Sequence, residues 1–220
     1  EVGNILYKHG FNPDQIVALT EAKPPNPVRT QNGLLHLDHL DFFVRDPFAC
    51  GWHTPLPADL LTQLYLDGPN VATDLTTAEH LVERIFFEHQ LFTAPLKIAT
   101  EAVLERLFTL ASQKGFLNID PRSIASLTDA DALSRLAQID DPEIASLLER
   151  LLYRPHTLTV RRTAPDELIP AEALVTRVDQ PYLSQPLVDG QPVAQLSERA
   201  ALMLAEARTL LGTFVVEVSD

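Results

Sequence analysis

His36-Leu37-Asp38-His39-Leu40-Asp41-Phe42-Phe43-Val44-Arg45-Asp46 is the stretch on which the reading of this chain turns. Leu37, Leu40, Val44 and Phe48 recur at steps of three or four, which predicts a helix from Leu34 to Cys50 stopped by Gly51. Asp38, Phe42 and Asp46 fall at steps of four on another face, and Asp41 with Arg45 forms a neighbouring row. An acidic stripe beside an apolar one is commonly the solvated side of an amphipathic helix. Two features point the other way. Phe42 sits in the middle of the acidic stripe, and Arg45 is placed to neutralise Asp41 as a partly enclosed pair requires. His36, Asp38, His39 and Asp41 also include ligands suited to zinc, manganese or iron, although only some of them can converge on one ion.

On either side the chain reads mainly as helices up to Arg154. Asn12-Pro13 is a helix start whose Ile16, Val17 and Leu19 supply a buried side, and Pro24, Pro25 and Pro27 make an extended loop. Pro57 opens a short helix, with Trp52 and His53 in the loop before it, and Asp67-Gly68-Pro69-Asn70 turns the chain. Thr76 or Thr77 caps a helix through Leu81 and Ile85, and Pro95 interrupts the pattern before it resumes to Gly115. Thr128 with Asp131 resembles a capping box, and Asp141-Pro142 begins the last helix of this part. After Pro155 the period becomes alternating: a strand at Thr157 to Val160, a hairpin around Asp189-Gly190, a helix capped by Ser197 and a closing strand from Thr213 to Val218. The expectation is a mainly α protein, with a helical body at 1–154 and a small α+β subdomain at 155–220.

Composition narrows the function. The 220 residues are 45% hydrophobic, enough for a core, and carry 17 Lys and Arg against 30 Asp and Glu. The net charge of −13 repels polyanions at long range and argues against unaided nucleic-acid binding. Cys50 is the lone cysteine, which suits a reducing, cytoplasmic setting. No run of about 18 apolar residues marks a membrane span. No glycine-rich phosphate loop, His-Glu-x-x-His, Cys-x-x-Cys or Gly-x-Ser-x-Gly is present, so NTPase, zinc-finger and serine-hydrolase readings lack support.

The segment from Leu37 to Asp46, followed by Gly51, resembles the Asp-x-x-Asp-Tyr-x-x-Arg-Asp…Gly motif of HD-domain phosphohydrolases, in the branch of the deoxynucleoside triphosphate triphosphohydrolases. Phe87-Glu88-His89-Gln90 resembles that family's Tyr-x-His-Lys on a later long helix. Asp140-Asp141 ahead of a helix ending Leu151-Leu152-Tyr153-Arg154, and the C-terminal hairpin and helix, are similar to that branch as well. The resemblance implies an HD-like helical body. It also implies a divalent metal ion (manganese, magnesium, zinc or iron) with Asp38 as a ligand, and a nucleotide or related phosphate ester as ligand. By position, His39 stands where relatives place a phosphate-contacting Lys, and Phe42 where they place a Tyr beside the sugar. Asp46 stands where the sugar 3′-hydroxyl is held, with Arg45 before it. Phe87 and His89 line the same site, without the Tyr hydroxyl or the following Lys. Arg84, Arg154, Arg161 and Arg162 are candidates for a local cluster that reverses the sign of the field at a phosphate.

The family's upstream metal ligands, a His and a His-Asp pair, have no counterpart among residues 1 to 37, where His9 and His36 are the histidines. The sequence also begins at Glu1 and not at Met. The expectation is therefore a C-terminal portion of a metal-dependent phosphohydrolase, inactive alone, whose partner is the missing N-terminal half or a homo-oligomer. The alternative is a degenerate, non-enzymatic HD-like module that binds a nucleotide or a partner chain.

Overall fold

The computed structural model describes residues 2–21, 23, 26–28, 33–51, 60–116, 127–164, 166–170, 173–179 and 183–219, and leaves the side chains of Val2, Val44, Pro47 and Phe48 undescribed. Pro24, Pro25, Trp52, His53 and Pro57 lie outside the described residues. The chain divides into two compact units, one formed by Glu1–Gln90 with Gln180–Leu210 and the other by Leu91–Asp179 with Leu211–Asp220. Both units are interleaved in sequence, so the division does not follow the expected split after Arg154.

The first unit holds helices α1 (Val2–Lys8), α2 (Pro13–Glu21), α3 (Leu37–Ala49), α4 (Leu60–Gln63), most of α5 (Leu75–Phe92) and α9 (Glu198–Thr209). Its sheet has the order β1 (Tyr65–Asp67), β2 (Asn70–Ala72), β5 (Leu187–Val188) and β6 (Gln191–Pro192). The strand pairs β1–β2 and β5–β6 are tight hairpins, whereas β2 and β5 run parallel with Ala72 opposite Leu187. Asp189 and Gly190 both take positive φ, 49° and 75°, the geometry that a two-residue turn needs to follow the strand twist. Leu34 bridges to Gln185 in parallel, and the Leu35 amide donates to the Gln185 carbonyl at 2.8 Å. That bridge fixes where α3 begins. The core joins Leu35, Leu40, Phe43, Val71, Leu81, Val82, Ile85, Val193 and Leu204.

The second unit holds α6 (Pro95–Gln113), α7 (Asp129–Ala137) and α8 (Pro142–Tyr153). Against them packs an antiparallel sheet of β3 (Leu158–Arg162), β7 (Gly212–Val218) and β4 (Leu174–Val178), with β7 in the middle. Val160 faces Val216 and Leu174 faces Val216 across the two ladders. Ile98, Val103, Leu107, Leu136, Ile144, Leu148, Leu174 and Val216 make its core. The structure is thus mainly α with small sheets, and a β part lies toward its C-terminus.

Most local signals act where the sequence places them. Pro95 starts α6 and Lys114 with Gly115 ends it. The Thr128 hydroxyl accepts from the Asp131 amide at 3.2 Å while the Asp131 carboxylate accepts from the Thr128 amide at 3.0 Å. Asp141 accepts from the Glu143 and Ile144 amides, both at 3.1 Å. The cap of α5 is Asp74 and not a threonine: its carboxylate accepts from the Thr77 amide at 3.0 Å and the Thr77 hydroxyl at 2.6 Å. An ionised acid at this position also complements the helix dipole, which a hydroxyl does not. In α2, no residue is buried and Val17 is 50% exposed, so the expected buried side is absent.

Candidate functional site

The start of α3 is organised by two histidines. His36 immediately precedes the helix, and its Nδ1 accepts from the His39 amide at 3.4 Å, the role of an N-cap side chain. The two imidazoles lie one turn apart with ring centroids at 3.9 Å, tilted by 33°. His39 Nδ1 is 2.8 Å from the hydroxyl of Ser184, next to the Gln185 that fixes the helix start. Burial and then the neighbouring His36 push the His39 imidazole down to about 4, against a smaller opposing pull from Asp38. His39 is therefore a neutral imidazole at physiological pH.

One turn later the helix separates its faces. Leu40 and Phe43 are buried with His36, so the inward row is 36, 40 and 43. Leu37, expected on that face, is 42% exposed. The row that carries Asp38, Asp41, Phe42 and Arg45 is exposed. Arg45 does reach Asp41, at 3.2 Å, but both side chains are more than half exposed, so this is a surface pair and not an enclosed one. The Arg45 guanidinium also lies 5.5 Å from the Phe42 ring centroid and its Nε 3.7 Å from Asp46 Oδ1. One cation thus holds the carboxylates of Asp41 and Asp46 and the Phe42 ring together on one helix surface.

The second contribution comes from α5. Arg84, Glu88 and His89 are buried, and Phe87 is half-buried. Burial lowers the affinity of both the Arg84 guanidinium and the His89 imidazole for a proton. Glu88 goes the other way: burial first and the Asp46 carboxylate second push it up to about 7. The two helices that carry Asp46 and Glu88 share one buried core, with Leu40 and Phe43 of α3 and Leu81, Val82 and Ile85 of α5 in it. Among the residues read from the sequence, Asp46, Phe87 and His89 belong to the first unit. Asp38 sits at the opposite end of α3 from Asp46.

Sequence reasoning passed over Ser184 and Glu88. Ser184 has no motif around it, and its partner is 145 positions away in the sequence. Glu88 was legible only as the unnamed middle residue of Phe87-Glu88-His89. The proposed arginine cluster is not assembled within one unit: Arg84 belongs to the first, and Arg154, Arg161 and Arg162 to the second. Arg161 is engaged by Glu217 at 2.6 Å and Glu167 at 2.7 Å, an exposed ion-pair network. Among the described residues no three metal-ligating side chains converge, so Asp38 by itself does not make a metal centre.

No protein-family model and no curated protein matches the chain. Among solved structures it is similar to a phosphohydrolase from Bacteroides thetaiotaomicron VPI-5482, with a TM-score of 0.60 and 12% sequence identity. The superposition takes in 99% of this chain and 70% of that one. At this identity the likeness is one of fold: the chain shares its architecture with a phosphohydrolase. No helix among the described residues is long and apolar enough to cross a membrane.

Proposed function

We propose that this chain is part of an HD-type, metal-dependent phosphohydrolase acting on a nucleotide or a related phosphate ester, with an HD-like helical body. The observation that carries the reading is that α3 and α5, which hold the two motif-like runs, pack in one buried core through Leu40, Phe43, Leu81, Val82 and Ile85, within a fold shared with a phosphohydrolase. Two segments that resemble the family's site motifs, separated by some forty positions, meet in one unit.

The side chains then take the following roles. Asp38 is exposed on the first turn of α3 and offers its carboxylate to a divalent ion, whose other ligands come from outside the described residues. In this reading they are supplied by polypeptide preceding Glu1 or by another subunit. His39, neutral and steered through Nδ1 by Ser184, serves the phosphate as a hydrogen-bond partner without adding charge. Phe42 with Arg45 presents an apolar face and a cation side by side, suited to a sugar carrying phosphate. Asp46, Phe87 and His89 fix the remainder of the ligand, a contribution of orientation more than of bond-making. A reducing, cytoplasmic setting belongs to the same reading, since the single thiol, Cys50, is exposed and free.

A second reading has one observation in its favour. His39 is tied internally to Ser184 at 2.8 Å, where an active phosphohydrolase of this type presents a free cation to phosphate. A module that retains the nucleotide pocket and regulates or assembles with a partner fits that arrangement. A phosphate-release assay of the purified protein with manganese and a panel of nucleotides separates the two. The enzyme reading requires release that Asp38→Ala abolishes while the variant still binds nucleotide. Binding with no release under any divalent ion establishes the module, and release that survives Asp38→Ala removes the ligand role of Asp38.

A further inference from the structure

The second unit carries a cleft to which the roles above give no use. It holds about 450 Å³ between α6, α7 and α8, a volume within the range of small-molecule sites. Leu104 and Phe108 of α6, Leu133 of α7 and Leu151 of α8 form its half-buried wall, and each packs on the second core. A wall backed by a close-packed core is in place before any ligand arrives. Leu96 and Leu152 line the cleft as exposed side chains, so its apolar surface gains by being covered from water. Two polar side chains interrupt the lining, the half-buried Thr100 and the exposed Asp129. Asp129 opens α7 but is not its cap, since Thr128 and Asp131 close the capping box between them. Neither the Asp129 carboxylate nor the Thr100 hydroxyl has a hydrogen bond or ion pair among the described residues. Lys97, next to Leu96 in sequence, is held by Glu101, and no basic side chain lines the cleft among the described residues. A carboxylate only accepts hydrogen bonds, so the group that meets it must donate, and a cation meets it best. An anionic ligand would face Asp129 with no cation to offset it.

We propose that the cleft between α6, α7 and α8 binds a small organic amine with an apolar body. The body lies against Leu104, Phe108, Leu133 and Leu151, and the ammonium group donates to the Asp129 carboxylate. The Thr100 hydroxyl, both donor and acceptor, is the second polar contact open to such a ligand. The net charge of −13 favours a cation over an anion at long range as well. All the lining residues belong to the second unit, so the site is independent of the phosphate-ester reading, which concerns α3 and α5 of the first.

The test uses three probes with a phenyl body and different end groups: phenethylamine, phenethyl alcohol and phenylacetate. Titrating each into the isotope-labelled full chain and following amide shifts by NMR gives affinity and place of binding together. Phenethylamine is expected to bind with a Kd of about 1 mM or below and to shift amides of α6, α7 and α8. It is expected to exceed the alcohol by about fivefold, the scale of an ion pair at an exposed carboxylate, with phenylacetate the weakest of the three. Asp129→Asn removes that advantage and leaves the alcohol unchanged. Leu152→Lys, a change at an exposed position, sets a competing cation in the cleft and weakens the amine more than the alcohol. An amine no tighter than the alcohol, or a preference that survives Asp129→Asn, overturns the assignment of Asp129 and with it the ligand class. Shifts centred outside α6, α7 and α8, or no binding by any of the three probes, overturn the site itself.

Discussion

The hydroxyl of Ser184 lies 2.8 Å from Nδ1 of His39, across 145 positions of sequence. The contact exists because Leu34 pairs with Gln185 and so delivers the first turn of α3 beside the residue preceding that bridge. Ser184 is itself buried, so water does not replace its hydroxyl readily. Ser184→Ala is expected to destabilise the protein by about 1 kcal/mol, the cost of a half-buried imidazole nitrogen losing a partner. Urea unfolding gives the size, and Ser184→Thr, which keeps a hydroxyl, is expected to recover part of it. Equal stability of the alanine variant and the wild type would show that the contact is incidental.

Glu88 makes the stability of the protein depend on pH in a definite direction. Its folded-state value, about 7, stands above the ordinary value of 4.5. Below about pH 4.5 the group is protonated in both states and its effect on folding is neutral. Between about 4.5 and 7 the unfolded chain ionises while the folded one does not, so stability falls as pH rises, and above 7 the penalty is complete. Glu88→Gln is therefore expected to match the wild type at pH 4 and to exceed it at pH 8, by at most about 3 kcal/mol. Denaturant unfolding at the two pH values checks this, and a variant less stable at pH 8 contradicts it.

The cap of α9 couples two helices of the first unit. Ser197 accepts from the Ala200 amide at 3.1 Å and donates to Glu79 Oε1 of α5 at 2.5 Å, both from a buried position. Ser197→Ala removes a helix cap and a tie to α5 together, and a loss of about 1–2 kcal/mol is expected. Ser197→Asp restores the cap acceptor but faces Glu79 with a second carboxylate. It is therefore expected to be no more stable than the alanine variant at neutral pH and to improve as the solution is acidified. Thermal melts of the three proteins across pH decide the point.

What the sequence revealed follows from how far each signal reaches. Thr128, Asp141, Ser197 and the Asp189-Gly190 turn were legible because a cap or turn is written within four neighbouring residues. The parallel pairing of Ala72 with Leu187 was not, since strands of two or three residues carry no alternation and a parallel partner can lie anywhere downstream. That missed pairing is also why 155–220 looked like one subdomain: its hairpin and α9 join the first unit, whereas β3, β4 and β7 join the second. In α3, apolar periodicity favoured Leu37 as a buried residue, but the bridge at Leu34 and the His36 cap set the helix rotation so that His36, Leu40 and Phe43 face inward. The candidate site residues on α3 and α5 were read from the motif resemblance. Ser184 and the state of Glu88 depend on tertiary neighbours that no local pattern encodes.

Adjacent phenylalanines on α3 separate stability from recognition. Phe43 is 1% exposed and packs in the first core, 6.0 Å from the His39 ring centroid, whereas Phe42 is 38% exposed under the Arg45 guanidinium. Phe43→Ala opens a cavity in packed surroundings and is expected to cost about 3–5 kcal/mol. Phe42→Ala removes an exposed ring and one cation–π contact, so a cost of about 1 kcal/mol or less is expected. If Phe42 serves the ligand, its variant must lose nucleotide affinity out of proportion to that small change in stability, and Phe42→Tyr must retain it. Paired measurements of unfolding and of nucleotide binding on the four proteins test both halves. A Phe42→Ala protein with wild-type affinity leaves Phe42 as a surface residue and removes it from the proposed ligand contacts.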